Sequence, residues 1–287
     1  MSRLRVFSLL SVLLLLAAIA GCGDDDSGSG GDGASAAATD CTPAKLQTVS
    51  PGTLTVGTDK PAFPPYFVDN DPTNGKGFES AVAYAIAGQL GYSKGEVKWT
   101  VVPFNASYAP GPKDFDFDVN QISITPDRAK QVDFSSPYYK AGQAIVALKD
   151  SPAAKAKSLA DLEDSQFGVQ IGTTSLDAVN ESVQPSPEPR VYDNSNDVVS
   201  ALKQGQVDAV AVDVPTALYL TAVQVPEATV VGQFSAPGGD TWGALLEKDS
   251  PLTACVSKAV DDLQQSGELP KIEQRWMSKA AGAPVLD

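Results

Sequence analysis

Residues 120–139, NQISITPDRAKQVDFSSPYY in one-letter code, constrain this chain more than any other stretch. Ile122 and Ile124 are β-branched and alternate with Ser123 and Thr125, the period-two pattern expected at the end of a half-buried strand. Pro126 ends that strand. Proline followed by Asp127 suits the first turn of a helix, because proline is tolerated at the first helical position and an acidic side chain favours the positive end. On such a turn Arg128 folds back over Ser123, and a guanidinium beside hydroxyl and backbone donors holds a carboxylate in a fixed orientation. The residues alone leave open a plainer arrangement, in which Arg128 pairs at the surface with Asp127 or Asp133.

Charge and composition exclude several classes. A chain of 287 residues with 43% hydrophobic and 20% charged residues can bury a sizeable core in one or two domains. Its formal charge of -14 repels nucleic-acid phosphates. Histidine is absent, which removes the usual metal ligand and the usual general base. No metal and no cofactor are expected.

The first residues read as a targeting segment. Arg3 and Arg5 precede an apolar run that is short for a membrane span, and Ile19-Ala20-Gly21-Cys22 ends it as a bacterial lipobox would. By that resemblance residues 1–21 are a lipoprotein signal peptide and Cys22 carries the lipid anchor. Residues 22–44 are an acidic tether with little apolar surface. Cys41 and Cys255 remain, and outside the cytoplasm such a pair is expected to form a disulfide.

The rest alternates strands with helices. Residues 52–59 alternate as a strand, and Lys60-Pro61-Ala62-Phe63-Pro64-Pro65-Tyr66 follows as an aromatic loop that prolines keep out of regular structure. Phe78, Val82, Ala85, Ile86 and Leu90 share one face of a helix that Gly91 closes. Glu79, in its first turn, reads as a dipole partner. A second strand occupies residues 97–102, but Ser107-Tyr108-Ala109-Pro110-Gly111-Pro112-Lys113 does not continue into a regular helix. Residues 144–148, 167–170 and 207–212 read as further strands. Gly172-Thr173-Thr174 is a strand-to-helix turn whose backbone N–H groups suit an anion. Asp213 ends an apolar strand, where a carboxylate is costly unless it meets a positive group. Trp242 could face a cleft or pack beneath a hinge.

The run from Ser123 through Arg128 to Tyr139, with Gly57-Thr58-Asp59 before it and Gly172-Thr173-Thr174 after it, resembles the polar amino acid solute-binding proteins of ABC transporters. That resemblance, to bacterial extracellular solute-binding proteins of family 3, implies a two-lobed α/β fold of the periplasmic-binding-protein type II, with two hinge strands. Lobe 1 would comprise residues 45–140 and 241–287, and lobe 2 residues 141–240. A polar amino acid would bind in the cleft and pass to a membrane permease and its ATPase. Ser123 and Arg128, with Thr174 opposite, would take its carboxylate, and Asp213 its ammonium. Asp59 and Phe63 would line the pocket at its side chain, with Tyr66 the alternative to Phe63, Gln121 and Gln170 would neighbour it, and Ile122 and Thr173 would belong to the same ligand site. The protein would be a monomer on the outer face of the cytoplasmic membrane. The same fold also carries enzymes resembling cyclohexadienyl dehydratase, for which Asp59 or Glu79 would have to act as general acid.

Overall fold

The computed structural model describes residues 40–277 and 284–286. The signal segment, the expected lipidation site Cys22 and most of the tether lie outside the described residues. Two five-stranded sheets are built on one plan. In the first, β1 (Leu54–Thr58) lies between β2 (Val97–Val101) and the short β3 (Phe117–Asp118), parallel to both. Beyond β3 come β10 (Thr241–Leu246), antiparallel to its neighbours, and β4 (Asp133–Lys140). In the second sheet β6 (Phe167–Gln170) lies between β7 (Arg190–Tyr192) and β8 (Ala209–Asp213), again parallel. Beyond β8 come the antiparallel β5 (Gln143–Leu148) and then β9 (Ala228–Phe234).

The antiparallel strand of each sheet arrives from the other half of the chain. The chain crosses from β4 to β5 and returns from β9 to β10, and the Ala141 N–H donates to the Asp240 carbonyl at 2.8 Å where the crossings meet. The result is a two-lobed α/β fold. Strands buried on both faces, such as Ala209-Val210-Ala211, carry continuous apolar runs for the reason that helices cover both sides.

Helix α1 (Phe78–Gln89) buries Phe78, Val82 and Ile86, with Leu90 beyond its end, against lobe 1, as its apolar spacing predicts. The one-turn α2 (Phe104–Ser107) stops at the Pro/Gly-rich segment. Helix α3 (Pro126–Ala129) is capped by the Thr125 hydroxyl, which accepts from the Arg128 N–H at 3.2 Å. In lobe 2 lie α4 (Thr174–Ala178), α5 (Ser195–Lys203) and α6 (Val214–Tyr219). Helices α7 (Thr253–Gln265) and α8 (Glu268–Met277) complete lobe 1. Trp242 is fully buried among Tyr66, Tyr138 and Tyr139, so it packs beneath the crossing and does not face the cleft.

Two expectations need correction. Residues 120–125 are not a strand: the extended run stops at Asp118, Gln121 takes a left-handed φ of 50°, and only single contacts join the segment to β10. Nor do all residues from 241 onward stay with lobe 1. Residues 284–286 return to lobe 2, where Leu286 is buried and its N–H donates to the Gln233 carbonyl at 2.9 Å. Gly232 makes room for it, since a Cβ there would stand 2.4 Å from Leu286 Cγ.

Cys41 and Cys255 form a disulfide with a Cα separation of 5.5 Å across 214 positions, clipping the N-terminal lead to α7. A cross-link closing so long a loop restricts the unfolded chain strongly. Reduction is expected to lower the unfolding free energy by about 2–5 kcal/mol, read as a drop in the urea midpoint relative to the oxidised protein.

Candidate functional site

A cavity of about 580 Å3 opens between the lobes. Lobe 1 contributes Thr58, Asp59, Phe63, Tyr66, Gln121 and Ser123, and lobe 2 contributes Gln170, Thr173, Thr174, Asp213 and Thr216. Ten of the eleven residues expected at a ligand site are therefore accounted for in this cleft or, for Arg128, immediately behind it. The exception is Ile122. Its side chain is fully buried with Phe115, Val132 and Leu245, because alternation along the chain turns it away from the face that Ser123 presents.

Each wall has a local cause. The Asp59 carboxylate accepts from the Lys60 N–H at 2.6 Å and from the Phe104 N–H at 3.1 Å, joining the aromatic loop to the start of α2. Phe63 reaches across to Tyr219, with ring centroids 6.3 Å apart, and the Tyr66 hydroxyl meets Thr216 Oγ1 at 2.8 Å. In lobe 2 the helix cap is Thr173, whose hydroxyl accepts from the Leu176 N–H and donates to the Gln170 carbonyl. That leaves the Thr174 hydroxyl for the cleft, where it lies 3.3 Å from Ser123 Oγ and donates to Asp240 at 3.2 Å. Gln170 is steadied by the Ser195 hydroxyl at 2.6 Å.

Arg128 crosses the lobes. Its guanidinium donates to the Ser123 carbonyl at 2.7 Å and to the Gly172 carbonyl at 2.8 Å, and lies over the rings of Tyr108 and Phe104. No surface pairing with Asp127 or Asp133 forms; those carboxylates meet Lys130 and Lys248. Gly172 suits this approach: its φ is +71°, and a Cβ would stand 2.3 Å from the Tyr108 hydroxyl.

Opposite Arg128, Asp213 ends β8 and accepts from Gln143 Nε2 at 2.9 Å. Burial, reinforced by the charge of Asp240, holds its carboxyl well above the usual carboxylate range. A cation placed against it would reverse that. Asp208, at the other end of the same apolar run, is structural, accepting from the Gln166 N–H at 2.8 Å.

The sequence reading missed Glu79, Gln143 and Asp240. Glu79 is not an exposed dipole partner. It is fully buried, and accepts from the Tyr138 hydroxyl at 2.6 Å, from the Gln121 N–H at 2.6 Å and from the Gln121 side-chain amide. These bonds fix the left-handed turn at Gln121 that aims Ser123 into the cleft. No local pattern announces a side chain whose partners lie 42 and 59 positions away. Asp240 carried a weak signal, as an acid directly after Gly238-Gly239 at a crossing.

The whole arrangement has known counterparts. Residues 54–279 match the model for bacterial extracellular solute-binding proteins, family 3, and the chain belongs to that family. It is 30% identical over 229 residues to the L-cystine-binding protein TcyJ of Escherichia coli (strain K12), covering 78% of this chain and 82% of that protein. An ancestral arginine-binding protein bound to glutamine superposes with a TM-score of 0.67 at 35% identity, covering 79% of this chain and 98% of that one. The ancestral amino acid-binding protein AncCDT-1, a precursor of cyclohexadienyl dehydratase, gives 0.64 at 32% identity, covering 78% and 95%.

Burial raises the Glu79 carboxyl from an ordinary 4.5 to about 7, against the hydrogen bonds from Tyr138 and Gln121 that lower it. A group raised in the folded state stabilises fully below its unfolded value and loses that contribution as pH climbs to the folded one. The difference in unfolding free energy between wild type and Glu79→Gln is therefore expected to fall between pH 4.5 and about 7. At 1.36 kcal/mol per pH unit the fall is on the order of 3 kcal/mol; urea titrations across that range measure it.

Proposed function

We propose that this protein is the solute-binding component of an ABC importer, and that its cleft binds a polar α-amino acid as the zwitterion. One observation carries the reading: the Asp213 carboxylate lines the cleft from lobe 2 and the Arg128 guanidinium lies immediately behind the Ser123 wall of lobe 1, with the Ser123 and Thr174 hydroxyls between them. The α-carboxylate lies toward Arg128 and the α-ammonium against Asp213. The side chain extends toward Asp59, Phe63, Tyr66, Gln121 and Gln170. Relatives whose names record L-cystine and arginine binding support the amino-acid class.

Closure is selected by the ligand because only the closed form lets both lobes touch it. That form is the one a membrane permease receives. The protein acts as an extracytoplasmic monomer, held to the membrane by a lipid on Cys22, with the acidic segment after it giving reach. Among the described residues no helix is long and apolar enough to cross a membrane.

An enzyme of the dehydratase kind is the second reading, prompted by AncCDT-1. It needs a general acid over the substrate. Asp59 has both carboxylate oxygens committed to backbone N–H donors, and Glu79 is buried beneath Gln121. Neither is placed for the task.

Replacing Arg128 leaves a buried carboxylate without its charge partner, at a cost of about 2–5 kcal/mol. Arg128→Ala is expected to weaken amino-acid binding at least about thirtyfold, and calorimetry showing unchanged affinity rules the site out. The ligand itself follows from thermal-shift screening against the proteinogenic amino acids and cystine, since a compound that binds only the folded form raises the melting temperature. Formation of phenylpyruvate from prephenate would instead establish the enzyme.

A further inference from the structure

Behind the ammonium side of the cleft lies a second carboxylate that the binding scheme above does not use. Asp240 is 3% exposed, and none of the ion pairs among the described residues includes it. One of its oxygens accepts from Gln143 Nε2 at 2.6 Å and from the Thr174 hydroxyl at 3.2 Å. The fully buried Gln143 donates from the same amide nitrogen to Asp213 at 2.9 Å, and its carbonyl accepts from the Ser175 hydroxyl at 2.6 Å. One amide thus bridges two carboxylates and is itself held in the orientation that lets it do so.

Proton counting along this chain has a consequence. A hydroxyl has one proton to donate, and an ionised carboxylate only accepts. The Thr174 proton is directed at Asp240, so the 3.3 Å contact between Thr174 and Ser123 must be donated by Ser123. Both hydroxyl protons then run in one direction, Ser123 to Thr174 to Asp240. What the two oxygens offer the cleft is lone pairs, which suit an ammonium and not a carboxylate.

Building on the amino-acid reading above, we infer that Asp240 is a positioning residue for the ligand's α-ammonium: it orients the Thr174 and Ser123 hydroxyls as acceptors and, through Gln143, aligns Asp213. The ammonium is met by Asp213 and these two oxygens, while the carboxylate is left to Arg128 and backbone N–H groups. This assigns the two hydroxyls to the opposite end of the zwitterion from the one the sequence suggested.

The test uses the full-length protein and two probe pairs: L-arginine and L-glutamine, each with its des-amino counterpart, which keeps the carboxylate and side chain and lacks only the α-ammonium. For whichever L-amino acid binds wild type, Asp240→Asn is expected to weaken it about tenfold or more and to change des-amino binding less than about twofold. A residue acting only on the hinge would weaken both members of a pair equally; that result, or no loss for either, overturns the inference. Thr174→Val, which removes the middle hydroxyl, is expected to show the same selective loss, and serves if Asp240→Asn does not fold. Wild type that binds neither amino acid nor any other in a thermal-shift panel overturns the amino-acid reading and this inference with it. Wild type that binds while both variants keep its selectivity overturns this inference alone.

Discussion

Glu79 holds the binding face of lobe 1 together. Its carboxylate, buried and in no ion pair among the described residues, collects three hydrogen bonds from two distant parts of the chain: two from Gln121 at the cleft and one from Tyr138 near the end of β4. Helix α1 brings it there, and the packing of Phe78 against Tyr138 and Tyr139, with α1 lying on α7 and α8, keeps it there. A buried polar group is costly unless its partners are in place. The left-handed turn at Gln121, the bearing of Ser123 and the position of Arg128 one turn later all follow from that requirement.

The second lobe meets the same task differently. Its cleft edge is a helix start, with Thr173 as cap and Thr174 turned inward, backed by a bridge from Gln143 to Asp213 and Asp240. Lobe 1 presents a guanidinium fixed by backbone carbonyls and lobe 2 a carboxylate pair fixed by an amide. Where they meet, Arg128 to Gly172 and Tyr66 to Thr216 already join the lobes. These two hydrogen bonds tie the lobes together across the cleft.

Local patterns made much of this legible. Apolar periodicity found α1, β1, β5 and β6, and turn chemistry found α3 and the Gly172-Thr173-Thr174 corner, because each depends on residues a few positions apart. Asp213 stood out as an acid at the end of an apolar strand. What was not legible depends on partners far along the chain. Glu79 looks like any first-turn acid until Tyr138 is placed beside it, and Gln143 like any strand residue until two carboxylates converge on it. Alternation set Ile122 and Ser123 on opposite faces, yet Ile122 was expected at the ligand site beside Ser123, and the same pattern suggested a strand where a left-handed Gln121 breaks one. Trp242 was ambiguous in the sequence because only tertiary packing distinguishes a cleft wall from a core.

The return of residues 284–286 to β9 changes the mechanics of the pair of lobes. Two crossings near one line define an axis about which the halves can turn, and an axis alone sets no end point. Leu286, seated against Gly232 on lobe 2 while α8 stays packed on lobe 1, adds an attachment elsewhere. The crossings therefore join the lobes along one line, and the seat of Leu286 against Gly232 ties the C-terminal end to lobe 2 at a second place, away from that line.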